Sequence, residues 1–151
     1  MACYISFGNP FLKMKCVSPP ILLKLFYGQG VIWNMPSHEN IIYITFDDGP
    51  VPAVTPEILD VLKKYKAKAT FFHVGENVKK YPDLYKQIQS EGHISGNHTL
   101  NHVNGWQTKT EDYIKNVEDC REIFNTNLFR PPFGKIKRQQ IKKLIKEYRI
   151  I

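Results

Sequence analysis

Five short β-type segments alternate with helical ones from residue 42 onward, and this order restricts the fold more than any other feature of the chain. The first, Ile42-Tyr43-Ile44-Thr45-Phe46, has apolar residues at every second position and stops at Asp47-Asp48-Gly49-Pro50. Thr55-Pro56-Glu57 predicts a helix start with Thr55 as N-cap and proline at the first helical position, and Ile58, Leu59, Leu62 and Tyr65 form the buried stripe. Residues 69–74 are aromatic and β-branched, precede Gly75, and read as a second strand. Residues 76–91 read as a broken helix restarted at Pro82 and ended by Gly92. Residues 93–97 form a third strand, assigned mostly from their place in the alternation. Thr108 and Glu111 have capping-box spacing and open a helix carrying Ile114, Val117 and Phe124, with Cys120 on the same packed side. Leu128-Phe129-Arg130 is a fourth strand, ending at Pro131-Pro132-Phe133-Gly134. Ile141, Leu144, Ile145 and Tyr148 mark the apolar side of a last helix, and residues 148–151 begin a fifth strand. The alternation predicts an α/β fold, a parallel sheet or barrel with its site at the C-terminal ends of the strands.

At 151 residues and 42% apolar content the chain is one domain, short for a complete α/β barrel, which typically takes about 250 residues. Residues 1–19, with Gly8, Pro10, Pro19 and Pro20 and no clear periodicity, are expected to be a poorly ordered lead-in to a domain over 20–151. A short helix is expected at residues 21–27, a short strand at 31–33 and a turn at 35–37. No run of eighteen apolar residues spans a bilayer, and residues 1–16 lack an export-signal pattern, so the default expectation is a cytoplasmic protein. Cys3, Cys16 and Cys120, odd in number and without CxxC spacing, read as reduced thiols. The net charge of +7 is concentrated in residues 135–151, where seven Lys/Arg face one Glu, leaving +1 for the remainder. Those lysines are the solvated side of the last helix. No recognition motif or interleaved aromatic accompanies them, which argues against a nucleic-acid partner.

The chemistry sits at the strand ends. Adjacent side chains on a strand face opposite sides, so Asp47 and Asp48 suit two different tasks, one binding a metal and the other handling a proton. His98-Thr99-Leu100-Asn101-His102 spaces two imidazoles four residues apart, on one face if the segment is helical. With one acid they make a His₂-carboxylate set that leaves coordination positions open, for which zinc is the default ion and cobalt or another divalent ion an alternative. Arg130, at the tip of the fourth strand, is either a surface cation or a bidentate partner that keeps Asp47 ionised. Pro131 and Pro132 stiffen the loop that presents the Phe133 N–H to a developing oxyanion. Trp106 reads equally as a sugar-stacking platform and as ordinary packing. His73 reads as structural, and His38 and His93 have no evident partner.

Thr45–Pro50, His98–His102 and Arg130–Gly134 together resemble the first three motifs of the polysaccharide deacetylases, the NodB-homology enzymes of carbohydrate esterase family 4. The likeness covers roughly residues 40–151. It implies a distorted (β/α) barrel and metal-dependent removal of acetyl groups from N-acetylated sugars. It further implies Asp47 as general base, Asp48, His98 and His102 as metal ligands, Arg130 as the tether of Asp47, and Phe133, where the family often has tyrosine, as the N–H donor. Trp106 and Pro132 are the expected substrate contacts. The family's two later motifs, an Asp/Trp segment and a Leu-x-x-His-like run supplying a general acid, have no counterpart here. The resemblance therefore implies an incomplete barrel that binds metal, deacetylates weakly or not at all, and leaves the fifth strand's edge open to self-association. Rival readings are a non-catalytic sugar- or metal-binding remnant and a basic surface module using residues 135–146.

Overall fold

The structure is a computed structural model and describes residues 24, 25, 27, 30–35 and 41–151. The expected lead-in, most of the helix at 21–27, the turn at 35–37 beyond Met35, His38, Cys3 and Cys16 lie outside them. Five strands, β1 (Thr45–Gly49), β2 (Thr70–His73), β3 (Ile94–Asn97), β4 (Leu128–Phe129) and β5 (Arg149–Ile150), form one sheet in sequential order with every pairing parallel. The crossovers carry α1 (Thr55–Lys64), α2 (Gly75–Lys80), α3 (Pro82–Ser90), α4 (Thr110–Arg121) and α5 (Arg138–Leu144). This is a parallel sheet alternating with helices, one of the two architectures the alternation allowed.

Strand periodicity separates two faces. Phe46 stacks on Phe71, and Phe71 joins Leu59 and Leu62 of α1 and Ile88 of α3 in one buried cluster. His73, two residues further, packs edge-on against Tyr85 and Phe124 on that same helix-covered side. A second cluster joins Tyr113 and Val117 of α4 to Phe129, Ile141, Leu144, Tyr148 and Ile150. Phe72 points the other way and is fully buried, with the Arg130 guanidinium 4.1 Å from its ring centroid. Packing also explains why β3 is weak in sequence. A Cβ on Gly96 would lie 2.5 Å from the Phe72 ring, so the strand is selected for close approach rather than β-propensity.

Several boundaries differ from expectation. β1 begins at Thr45, and Ile42 is 85% exposed, because pairing with β2 starts only at Thr45–Thr70. Thr55 sits inside α1 while Val54 is the cap, and its hydroxyl instead accepts from Val51 N at 2.9 Å. The capping box at Thr108 does not form: α4 starts at Thr110, and Thr108 Oγ1 donates to Asn104 O at 2.7 Å. α5 ends at Leu144, leaving Ile145 partly exposed. The edge of β5 is not bare. Val31 bridges Ile150 in parallel and Ile32 N donates to Ile150 O at 2.7 Å, so the chain's own earlier segment lies where an open edge was expected.

Candidate active site

The mouth of the site is built at the ends of β1, β3 and β4. Asp47 and Thr45 share the face of β1 on which Phe72 lies, and Arg130, arriving from β4, reaches both through one nitrogen. Its Nη1 donates to Asp47 Oδ1 at 2.7 Å and to Thr45 Oγ1 at 2.9 Å. The pair is therefore not the bidentate fork expected, because Thr45 takes part of the guanidinium's donor capacity. Arg130 is buried and its Nε has no partner among the described residues, while the Asp47 side chain is 28% exposed, open enough to meet a reactant.

Simple alternation would send Asp48 to the helix side. The register instead slips between Asp47 and Gly49, and Asp48 adopts φ 70°. Such a bulge re-aims a side chain, here toward the same mouth as Asp47. Asn77 holds the bulge by donating Nδ2 to Asp48 O at 2.7 Å. Asp48 Oδ1 lies 3.3 Å from His98 Nε2 and 3.0 Å from His102 Nε2.

The histidine segment is not helical. Thr99 and His102 have φ 66° and 56°, and the loop is held by side chains from elsewhere. Asn97, buried in β3, accepts from Thr99 N at 2.8 Å and donates to Val117 O at 2.8 Å. Asn116 of α4 accepts from Leu100 N and Asn101 N, and Thr99 Oγ1 accepts from Val103 N. The two imidazoles converge, with centroids 5.1 Å apart, through loop geometry rather than one helical face. Asn77, Asn97, Asn116 and Thr45 were missed from sequence. The available signal was Asn97, a polar residue in a strand that the alternation buries.

The chemistry of this donor set decides whether a cation fits. His98 Nδ1–H donates to Arg130 O at 2.7 Å, which fixes the tautomer and leaves a lone pair on Nε2. Burial lowers the His98 pKa below the usual histidine value, outweighing the opposing pull of Asp47, the Arg130 carbonyl and Asp48, so the ring is neutral. A carboxylate oxygen facing that lone pair has nothing to accept from it. A cation resolves the conflict. The ligand atoms of Asp48, His98 and His102 lie within 4.8 Å of one another, and their contacts to Asp48 match the edge of about 3.3 Å that tetrahedral bonds of roughly 2.0–2.1 Å produce. The three residues can hold a divalent metal.

Beyond the triad, Phe133 adopts φ 59° and its ring meets that of His102 at 4.6 Å. Pro132 is buried beneath this turn, so it shapes the loop and offers little surface to a sugar. Trp106 is 55% exposed, and its Nε1 donates to Ile136 O at 3.2 Å. His73 is structural: Nε2 meets Ser95 Oγ at 3.1 Å, and burial pushes its pKa down to about 4. His93 does have a partner, accepting from Ala69 N at 3.3 Å. Cys120 is free and buried, its thiol pushed up to about 12 by burial. No helix among the described residues is long and apolar enough to cross a membrane.

Comparison with known proteins agrees with this arrangement. Residues 34–149 match the polysaccharide deacetylase family. The chain is 46% identical over 111 residues to a peptidoglycan-N-acetylglucosamine deacetylase of Bacillus cereus, covering 70% of this chain and 52% of that protein. It is 39% identical over 112 residues to a chitooligosaccharide deacetylase of Azorhizobium caulinodans, covering 70% and 53%. The chain thus spans about half the length of these curated relatives. Among solved structures it resembles the Bc1960 peptidoglycan N-acetylglucosamine deacetylase, with a TM-score of 0.74 and 38% identity over 76% of this chain and 57% of that one. The chain belongs to the polysaccharide deacetylase family and carries part of its (β/α) barrel.

Proposed function

We propose that this chain is a metal-dependent hydrolase that removes N-acetyl groups from N-acetylated polysaccharides or oligosaccharides. The observation that carries the reading is the juxtaposition, at one mouth, of an arginine-held carboxylate, Asp47, with the triad Asp48, His98 and His102, whose ligand atoms lie within 4.8 Å of one another. Bound in that triad, a divalent cation, zinc by preference for two imidazoles and a carboxylate, supplies Lewis-acid activation of the amide carbonyl and of water. Asp47 takes the proton of the attacking water, and the Arg130 Nη1 contact at 2.7 Å keeps its carboxylate aimed. As the carbonyl oxygen gains charge it accepts from the N–H of Phe133, whose ring lies against His102 at the same mouth. The C–N bond then breaks to acetate and an amine. Trp106 offers an exposed ring for the sugar face.

The departing amine also needs a proton. Among the described residues His98 and His102 belong to the triad, His73 is enclosed by Tyr85 and Phe124, and His93 is bonded to Ala69 N. A site that lacks a general acid typically turns over about 10²–10⁴-fold more slowly than one that has it. The test is prolonged incubation of the purified chain with zinc and N-acetylglucosamine oligomers, measuring acetate. Slow release that disappears in Asp47→Asn supports the reading. Binding of oligomers with no acetate, or acetate that survives the substitution, overturns it, the former in favour of a non-catalytic remnant.

A further inference from the structure

Beside the triad lies a cation with no carboxylate to pair with. Lys135 Nζ sits 5.6 Å from the Trp106 ring centroid and 5.9 Å from that of Phe133, and it forms no ion pair among the described residues. Both rings are displayed rather than packed, Phe133 being 61% exposed. Trp106 and the loop that carries Lys135 are also held firmly. Trp106 Nε1 donates to Ile136 O at 3.2 Å, Trp106 N to Asn104 Oδ1 at 3.0 Å, and Gly105 N to Lys135 O at 3.1 Å. The fully buried Gln140 ties the two loops further, donating to Gly105 O at 3.0 Å and accepting from Lys137 N at 2.7 Å. The approach at Gly105 is so close that a Cβ there would fall 2.3 Å from Lys135 O. Such bracing of an exposed indole and the backbone of one lysine is more than a solvated surface needs.

We infer that Trp106, Phe133 and Lys135 form a subsite for a carboxylate-bearing sugar next to the one that reacts. This deepens the proposed function and rests on it. The shelf is continuous with the triad, because the Phe133 ring contacts His102 at 4.6 Å and His102 contacts Asp48 at 3.0 Å. A pyranose presents C–H groups to an aromatic face, while a carboxylate substituent draws the ammonium away from its two rings into a direct ion pair. The cation–π contacts hold Lys135 in readiness when no anion is present. A neutral glycan gains only the aromatic contacts. Lys135 is thus a specificity-determining residue that favours a polymer with an acid on neighbouring sugars, such as the lactyl carboxylate of muramic acid, over a neutral one.

The experiment is calorimetric titration of the full chain at low salt with a neutral N-acetylglucosamine tetramer and with the alternating N-acetylglucosamine and N-acetylmuramic acid tetramer. Each titration is run with and without zinc, so the preference is readable even if acetate release fails. The acidic tetramer is expected to bind about fivefold tighter, the size of an exposed charge pair, with the advantage fading as salt is raised. Lys135→Gln is expected to bind both tetramers equally, and Lys135→Glu to prefer the neutral one. Equal binding by the parent chain, a preference that persists in Lys135→Gln, or no binding of either tetramer overturns the inference.

Discussion

The mouth of the sheet and its helix-covered side are held by opposite kinds of force. Around Phe129, the residues Tyr113, Val117, Ile141, Leu144, Tyr148 and Ile150 exclude water by non-directional packing. At the mouth, Asp47, Asp48, His98 and His102 are placed by hydrogen bonds, a bulge and left-handed backbone, with each orientation depending on particular atoms. The difference teaches that function and stability are separable here. Substitutions at the mouth should change chemistry with the fold intact, and substitutions in the cluster should do the reverse.

The sharpest break of that contrast is Asp47→Asn. It keeps the shape of the side chain and removes the base, so acetate release is expected to fall by about 10²–10⁴-fold while the thermal midpoint and the bound metal hardly change. Its counterpart is Phe129→Ala, which empties a fully buried site and should lower the unfolding free energy by about 3–5 kcal/mol in denaturant titrations. If either variant lost both properties equally, the two regions would not be separable.

A smaller effect is expected at the boundary between them. Asn97→Ala strands Thr99 N and Val117 O without their partner, costing about 1–3 kcal/mol and loosening the histidine loop, so metal affinity falls together with stability. Chemical unfolding and zinc titration on the same variant check whether the two losses travel together.

The smallest effect concerns pH. Burial holds His73 neutral with its pKa lowered from 6.5 to about 4. Its contribution is therefore fully present above about pH 6.5, is lost as pH falls toward about 4, and does not change further below that. The parent chain should lose stability across this window, and His73→Phe, which keeps the ring packing against Tyr85 and Phe124, should show a shallower slope. Identical slopes would remove His73 from the account.

What could be read from sequence follows the same division. Strand order, helix stripes and the three motif segments depend on residues close together in the chain, and all five strands appear where alternation put them, to within a few residues. Asp47, Arg130, Asp48, His98 and His102, five of the residues that sequence singled out, meet at one mouth. What escaped depends on distant partners. Thr45 sits 85 positions from Arg130 and takes a share of its donors, Asn116 sits 15 positions from Asn101 and shapes a loop that its spacing suggested was helical, and Val31 covers Ile150. Likewise, nothing local to Gly96 announces the Phe72 ring beneath it.

The central claim is that Asp48, His98 and His102 together hold one divalent ion. The most direct measurement is zinc stoichiometry and affinity for the purified chain and for Asp48→Ala, His98→Ala and His102→Ala, each first shown by circular dichroism to be folded. One tightly bound zinc per parent chain is expected, with a large loss of affinity in every one of the three variants. Unchanged stoichiometry and affinity across all three would contradict it.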